Sequence, residues 1–304
     1  MKISTAFLFD RATERMSTIQ NKLATTQAQL SVSKQVLSPS DAPDQAAAIQ
    51  RLKGEVERQS SHSALLKSAL NRYQAEETAL SSANDILIRL KELGIQASND
   101  TLGLDDRKTI SVEMKALRDQ LLSLGNSRDD NGNYLFSGTR VKTAAFSEND
   151  SGQVVCNGHQ TQTRIPAGVE RTVQYTRAGT DVFQRVVRTD GKAVGFFDAL
   201  DQMIAAVDSS KTPAIQQGNS DLAQMHNALS LSLAQTGSDQ KVVQSQLDVL
   251  DETTLRLKST LSDIEDLDYA EAVTRMNKEV MALEAAMSSF TKISSLSLFD
   301  YIGR

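Results

Sequence analysis

Cys156 and His159 are three residues apart, a spacing that would supply half of a tetrahedral zinc site. No second pair completes it. Cys156 is the single cysteine, and His62 and His226 lie far along the chain. Asp129-Asp130-Asn131-Gly132-Asn133 is rich in oxygen ligands, as a calcium loop must be. With Ser127 at position 1, Gly132 falls at the required position 6, but position 12 is Gly138 instead of a bidentate Glu. The segment reads better as a turn leading into Tyr134-Leu135-Phe136. The acid pairs Asp105-Asp106 and Asp129-Asp130 suit a helix start and a turn. Glycosidase chemistry would need two carboxylates facing each other across a cleft, and a chain of long helices offers few clefts. The nucleophile-elbow, dinucleotide and P-loop glycine motifs are absent. The expectation is a protein that is not an enzyme, with no cofactor and no metal.

Composition narrows the class further. The chain has 304 residues with 15 Gly, 4 Pro and no Trp, and its net charge is −5. It is neither polar enough to be disordered nor basic enough to take nucleic acid as its main partner. One cysteine excludes an intrachain disulfide framework. The apolar run Ala6-Phe7-Leu8-Phe9 stops at Asp10, too short for a secretory signal or a membrane span. The expected partners therefore include no nucleic acid and no membrane, and the chain stays in the cytosol or leaves without a cleaved signal.

The elements that would position any site follow from spacing. Met16, Ile19, Leu23, Thr26 and Leu30 recur at alternating steps of three and four, one seam of a helix. Pro39 and Pro43 then break the chain, and Ser40 or Asp41 is placed to cap the next helix. From Asp44 to Ala97 the spacing runs unbroken through Ile49, Leu66, Tyr73, Glu77, Leu80, Leu87 and Leu90, a helix roughly 80 Å long. Such a helix needs neighbours to bury its stripe. A third carries Ile110, Met114, Leu117, Leu121 and Leu124. Eight of the 15 glycines fall between Gly132 and Gly195, among short β-branched runs, and predict an insert of hairpins. After it come a short helix from Phe196, another through Ile215 to Leu233, and a regular seam from Val243 to Ile264. Glu265-Asp266-Leu267-Asp268 interrupts the seam, which resumes as Val273, Met276, Val280, Leu283, Met287 and Phe290.

The fold class is therefore mainly α: a long antiparallel helical bundle or coiled coil formed by both chain ends, with a small inserted β-rich domain. Three parts are expected: 1–42 with 263–304, 43–134 with 196–262, and 135–195. The two ends suit each other as a pair. Residues 1–42 carry five bases and three acids, whereas 263–304 carry eight acids and four bases. Leu66, Leu70, Leu80 and Leu87 should face Leu247, Leu250, Leu257 and Leu261 or the third helix.

Four motifs in order carry a family resemblance. Met1-Lys2-Ile3-Ser4-Thr5 resembles the start of the flagellin-like hook-associated proteins of the bacterial flagellum. Leu37-Ser38-Pro39-Ser40-Asp41-Ala42-Pro43 resembles their turn between terminal and core helices, Asn131 to Gly138 their approach to the β domain, and Ser297-Leu298-Phe299 their ending. The resemblance implies an axial structural protein at the hook–filament junction, on which the filament assembles. It implies self-association into a ring, contact with another hook-associated junction protein and with flagellin, and a dedicated export chaperone on the C-terminal region. It further implies export through the flagellar secretion channel to an extracellular location. Arg89, Glu92, Leu93 and Gln96 match the flagellin core segment that packs neighbouring subunits, with Gly94 where Ala is common. Met287, Phe290, Leu296, Leu298 and Phe299 are the expected docking cluster near the C-terminus. The alternatives are a filament flagellin and a coiled-coil secretion-system tip or scaffold protein.

Overall fold

The computed structural model describes residues 2–168 and 171–302. Among these lie seven helices: α1 Lys2–Val32, α2 Pro43–Ala97, α3 Leu104–Gly125, α4 Gly179–Val182, α5 Phe196–Asp208, α6 Thr212–Glu265 and α7 Tyr269–Ile302. Six short strands form three antiparallel hairpins: β1 Phe146–Glu148 with β2 Val154–Cys156, β3 Arg164–Pro166 with β4 Thr172–Gln174, and β5 Val186–Val187 with β6 Ala193–Val194. The chain divides into two compact units, residues 1–60 with 252–304 and residues 61–251.

In the first unit α1 and α7 pair antiparallel. Phe9 meets Phe290 with ring centroids 4.8 Å apart, while near the other end of α1 the Ser33 and Tyr269 hydroxyls are 2.5 Å apart. The α1 seam holds as spaced: Met16, Ile19, Leu23 and Leu30 are half-buried and Thr26 is buried. The α7 seam holds at Met276, Val280, Leu283 and Phe290, all half-buried, and slips by one residue at two positions only. Ala272 is buried and Ala286 half-buried, whereas Val273 and Met287 face solvent. A two-helix pair covers only a narrow band of each helix, and the small alanines let the backbones approach, which leaves the bulkier edge outside.

Pro43 opens α2 after Ala42, whose carbonyl accepts the first helical bond, from Ala46 N–H at 2.9 Å. Asp41 caps the preceding turn and not the helix: its Oδ2 accepts from Ser38 N–H at 2.8 Å. Ser40 is likewise occupied within that turn, with its Oγ 2.7 Å from Ser38 Oγ. The α2 stripe runs as expected except at one point, where Glu76 is buried and Glu77 exposed.

α6 is one 54-residue helix where two were expected. Its inward face passes from Leu229 through Ser232, Thr236 and Asp239 to Val243, all buried, so the stripe stays continuous while its polarity changes. Thr236 Oγ1 donates back to the Ser232 carbonyl at 3.0 Å, which satisfies the buried hydroxyl inside the helix.

The second unit holds two cores. In one, Leu80, Leu87, Leu90 and Leu93 of α2 pack with Met114 and Leu121 of α3, with α5, and with Leu222, Met225 and Leu229 of α6. In the other, Leu66, Ala69 and Tyr73 pack with Val243, Leu247 and Leu250, and the β3–β4 hairpin adds Ile165 and Val173. Leu257 and Leu261 lie in the first unit, half-buried. The hairpins turn at Asp150-Ser151-Gly152, Ala167-Gly168 and Asp190-Gly191; Asn157-Gly158 instead packs Gly158 against Ser137. Val182 lies in α4 and not in a strand. Two-stranded hairpins are marginal alone, and these three gain their burial on the helices. Phe136, Phe146, Phe183, Phe196 and Phe197 form one ring cluster in the first of the two cores, with centroids 5.2–5.9 Å apart.

Candidate subunit-packing surfaces

Arg89, Glu92, Leu93 and Gln96 lie on the last turns of α2, in the second unit. Arg89 projects outward, with Nε donating to Glu113 Oε1 of α3 at 2.8 Å and Nη1 to Glu92 Oε2 at 3.1 Å. These charge-assisted bonds hold the guanidinium pKa above its ordinary value. Half-exposed, the group ties α2 to α3 while keeping a polar face to solvent. Gln96 is exposed beside it. Leu93 points the other way and is 1% exposed, a member of the chain's own core. The apolar groups on the open face of this segment are Ile88 and Ile95, seven residues apart and therefore on one side of the helix.

Gly94 has a structural reason. A Cβ there would lie 2.2 Å from Asn219 Oδ1 and 2.4 Å from Met203 Cε. Asn219 Nδ2 donates to the Gly94 carbonyl at 3.2 Å and to Ser98 Oγ at 3.0 Å. Gly218 opposes the same Met203, whose Cγ would lie 2.5 Å from an added Cβ. Two glycines thus form the notch that seats Met203, so α5 fits between α2 and α6.

Met287 and Phe290 lie on α7 in the first unit. Met287 is 44% exposed, whereas Phe290 is half-buried against Phe9. Leu296, Leu298 and Phe299 continue α7, and their side chains lie outside the described ones. The turn joining α1 to α2 is pinned at Glu265, the last residue of α6. Its side chain is nearly buried and pairs with Lys34 and with Lys53, the latter at 2.8 Å. Hydrogen bonds from the two ammonium groups hold the Glu265 carboxyl below the usual range. Backbone bonds from Gln35 N–H to the Glu265 carbonyl and from Leu267 N–H to the Ser33 carbonyl close the same joint.

Two outward groups escaped the sequence reading. Leu231 and Val249 on α6 are exposed and 18 residues apart, five full helical turns, so they share a face. Val112 is exposed on α3 next to Glu113. The signal was present as large apolar residues off the inward stripe.

The candidate metal ligands of the sequence are engaged within the fold. Asp129 is taken up by its own turn and by Arg72: Oδ1 accepts from Asn131 and Asn133 N–H, and Oδ2 from Arg72 Nη1 at 3.0 Å. His159 Nδ1 faces Thr139 Oγ1 and accepts from Thr161 N–H, both at 3.2 Å, and Cys156 is half-buried in β2. Among the described residues no three His, Cys, Asp or Glu side chains are grouped to hold a metal, and no helix is long and apolar enough to cross a membrane.

The chain matches the bacterial flagellin N-terminal helical region over residues 3–141 and the bacterial flagellin C-terminal helical region over residues 218–302. Flagellar hook-associated protein 3 of Escherichia coli strain K12 is 28% identical over 320 residues, covering 99% of this chain and 99% of that protein. A flagellin of Clostridium tyrobutyricum is 24% identical over 232 residues, covering 76% of this chain and 60% of that protein. The crystal structure of Xanthomonas campestris FlgL superposes with a TM-score of 0.61 at 22% identity, covering 70% of this chain and 99% of that one. Both helical regions therefore stand in order around the hairpin insert, with the α1–α7 pair joining the two ends of the sequence, and the chain belongs to the flagellin family, with hook-associated proteins among its relatives.

Proposed function

We propose that this chain is a structural axial protein of the flagellum, built in at the junction between hook and filament and serving as the platform on which the filament grows. The supporting observation is the end-to-end correspondence with hook-associated protein 3, whose length the chain spans almost completely, while it spans about 60% of the flagellin. Copies of the chain close into a ring. Arg89, Glu92 and Gln96, with Ile88 and Ile95 between them, meet a neighbouring copy, and Leu93 supports that face from within. Met287 and Phe290, with Leu296, Leu298 and Phe299, dock between subunits. Another hook-associated junction protein lies on one side and flagellin follows on the other. The chain is exported unfolded through the flagellar secretion channel, held beforehand by a chaperone on its C-terminal region.

The test is deletion of residues 294–304. The second unit contains none of them, so its melting temperature should not move. Cells carrying the truncated chain should release filament subunits into the medium instead of building filaments. Normal filaments on such cells would overturn the assembly role, and a collapsed melting temperature would assign these residues to the core.

A further inference from the structure

Five charged side chains are buried together in the second unit, and subunit packing uses none of them. Arg72 and Glu76 come from α2, Asp129 from the turn after α3, Arg177 from the insert and Asp239 from α6. Arg72 is 2% exposed and Glu76 fully buried. Arg72 donates to Asp129 Oδ2 at 3.0 Å and to the carbonyls of Tyr134 and Leu135 at 3.1 and 2.8 Å, where the chain enters the insert. Arg177, just after the β3–β4 hairpin, donates to Glu76 Oε2 at 3.1 Å and to Asp239 Oδ2 at 3.0 Å. Tyr73 adds a bond to the Gln174 carbonyl at 2.7 Å, and the Arg72 guanidinium lies 5.5 Å from the Tyr175 ring centroid. The cluster therefore fastens the start of the insert and the end of its β3–β4 hairpin to the two long helices.

Its charges do not balance. Two guanidiniums face three carboxylates. Arg72 with Asp129 and Arg177 with Asp239 make two matched pairs, and Glu76 is the surplus acid between them. Glu76 Oε1 has no hydrogen-bond donor; Arg72 Nε, itself without an acceptor, stops 3.6 Å away. A buried carboxylate needs donors at both oxygens, and this one has a donor at Oε2 alone. Protonation removes the surplus charge and leaves two neutral pairs. We propose that Glu76 is a proton-linked clasp: closure of the insert onto α2 and α6 takes up one proton at this side chain, so the insert is held more firmly in mildly acidic than in mildly alkaline surroundings.

The electrostatics agree in direction. Burial pushes the Glu76 carboxyl up to about 7, against the pull of Arg177 and Arg72. Burial also works to raise Asp129, but the bonds from Asn133 win and hold it below its ordinary value, so it stays ionised. Tyr73 is raised by burial and stays neutral. A group whose pKa is raised on closure stabilises the closed form below its open-form value, and that contribution is lost as pH rises through the closed-form value. With an open-form value of 4.5 and a closed-form value of about 7, closure is roughly thirtyfold more favourable at pH 5.5 than at 8.5.

The experiment is hydrogen exchange on the full chain at pH 5.5 and 8.5, with intrinsic rates divided out. The reporters are the amides of Leu135, Gly138 and Tyr175, which bond to the Ser127, Arg177 and Thr163 carbonyls. Their protection should fall roughly thirtyfold between the two pH values, while Glu76→Gln and the volume-keeping Glu76→Met should change less than about threefold over that range, a proton-linked response being absent. Every other ionisable side chain is present in every variant, so the comparison removes its contribution. Should the variants not fold, a carbon-13 titration of the Glu76 carboxyl in the unaltered chain decides alone. A midpoint near 7 supports the clasp. A midpoint at 4.5 or below, or a pH response surviving in both variants, overturns it.

Discussion

Met203 sits where Gly94 and Gly218 leave room for it, and this reverses the natural expectation for a glycine inside a helix. Replacing an interior Gly by Ala ordinarily gains about 1 kcal/mol of helix propensity. Here the new methyl would overlap Met203 Cε and Asn219 Oδ1, and overpacking of this kind costs about 1–3 kcal/mol. Gly94→Ala should therefore lower the melting temperature, and adding Met203→Ala should return part of the loss; thermal unfolding of the single and double variants checks it. The sequence showed the glycine and its place in the stripe, but not what approaches it, because Met203 is over a hundred residues away. The same blindness hid Arg72, Glu76, Arg177 and Asp239. Each looked like a solvated charge on a helix or loop, and only the fold brings them together. Arg177→Ala should cost about 3–5 kcal/mol, since it strands two buried carboxylates, Glu76 and Asp239. A denaturation midpoint within error of the unaltered chain would contradict that geometry.

Helices and their interruptions were the most legible level, because a stripe of large apolar residues repeats often enough to average out single exceptions. The α1 seam, the α2 span, the break at residues 266–268 and the hairpin glycines all follow from local pattern. The errors fall where small or polar residues take inward positions: alanines on α7, and Ser232, Thr236 and Asp239 on α6. Periodicity in hydrophobicity cannot register them. Of the opposite charges counted at the two chain ends, Lys34 and Glu265 meet, and Lys53 of α2, a third partner that no spacing rule associates, joins them at the joint. Its pH dependence has a definite sign. The Glu265 carboxyl is held below its ordinary value, so its contribution is present above the unfolded carboxylate range and is lost as pH falls through the folded value. Amide exchange at Gln35 and Leu267 should accelerate on acidification below about pH 4.5, the unfolded Glu range, and Glu265→Gln should exchange faster at neutral pH with no further acid response. An acid response unchanged in the variant would remove Glu265 from the joint.

At the scale of the whole molecule, the two flagellin helical regions enclose an insert that is buried partly by its own Phe136, Phe146 and Phe183 rings and partly on the helices. The candidate packing residues of the sequence divide by direction. Arg89, Glu92, Gln96 and Met287 face solvent, Leu93 faces the core, and Phe290 is half-covered by Phe9. Which of a motif's residues point outward depends on the neighbours of its helix, and α3 decides it here through Glu113. The outward apolar positions Ile88, Ile95, Leu231 and Val249 have no task in the chain's own cores and suit contact with other subunits. The central claim is that the chain occupies the junction between hook and filament. It is tested most directly by immunogold electron microscopy of intact flagella, using antibody raised against the hairpin insert. Label confined to one short zone between hook and filament is the predicted result; label distributed along the filament would contradict the account and make the chain a filament subunit.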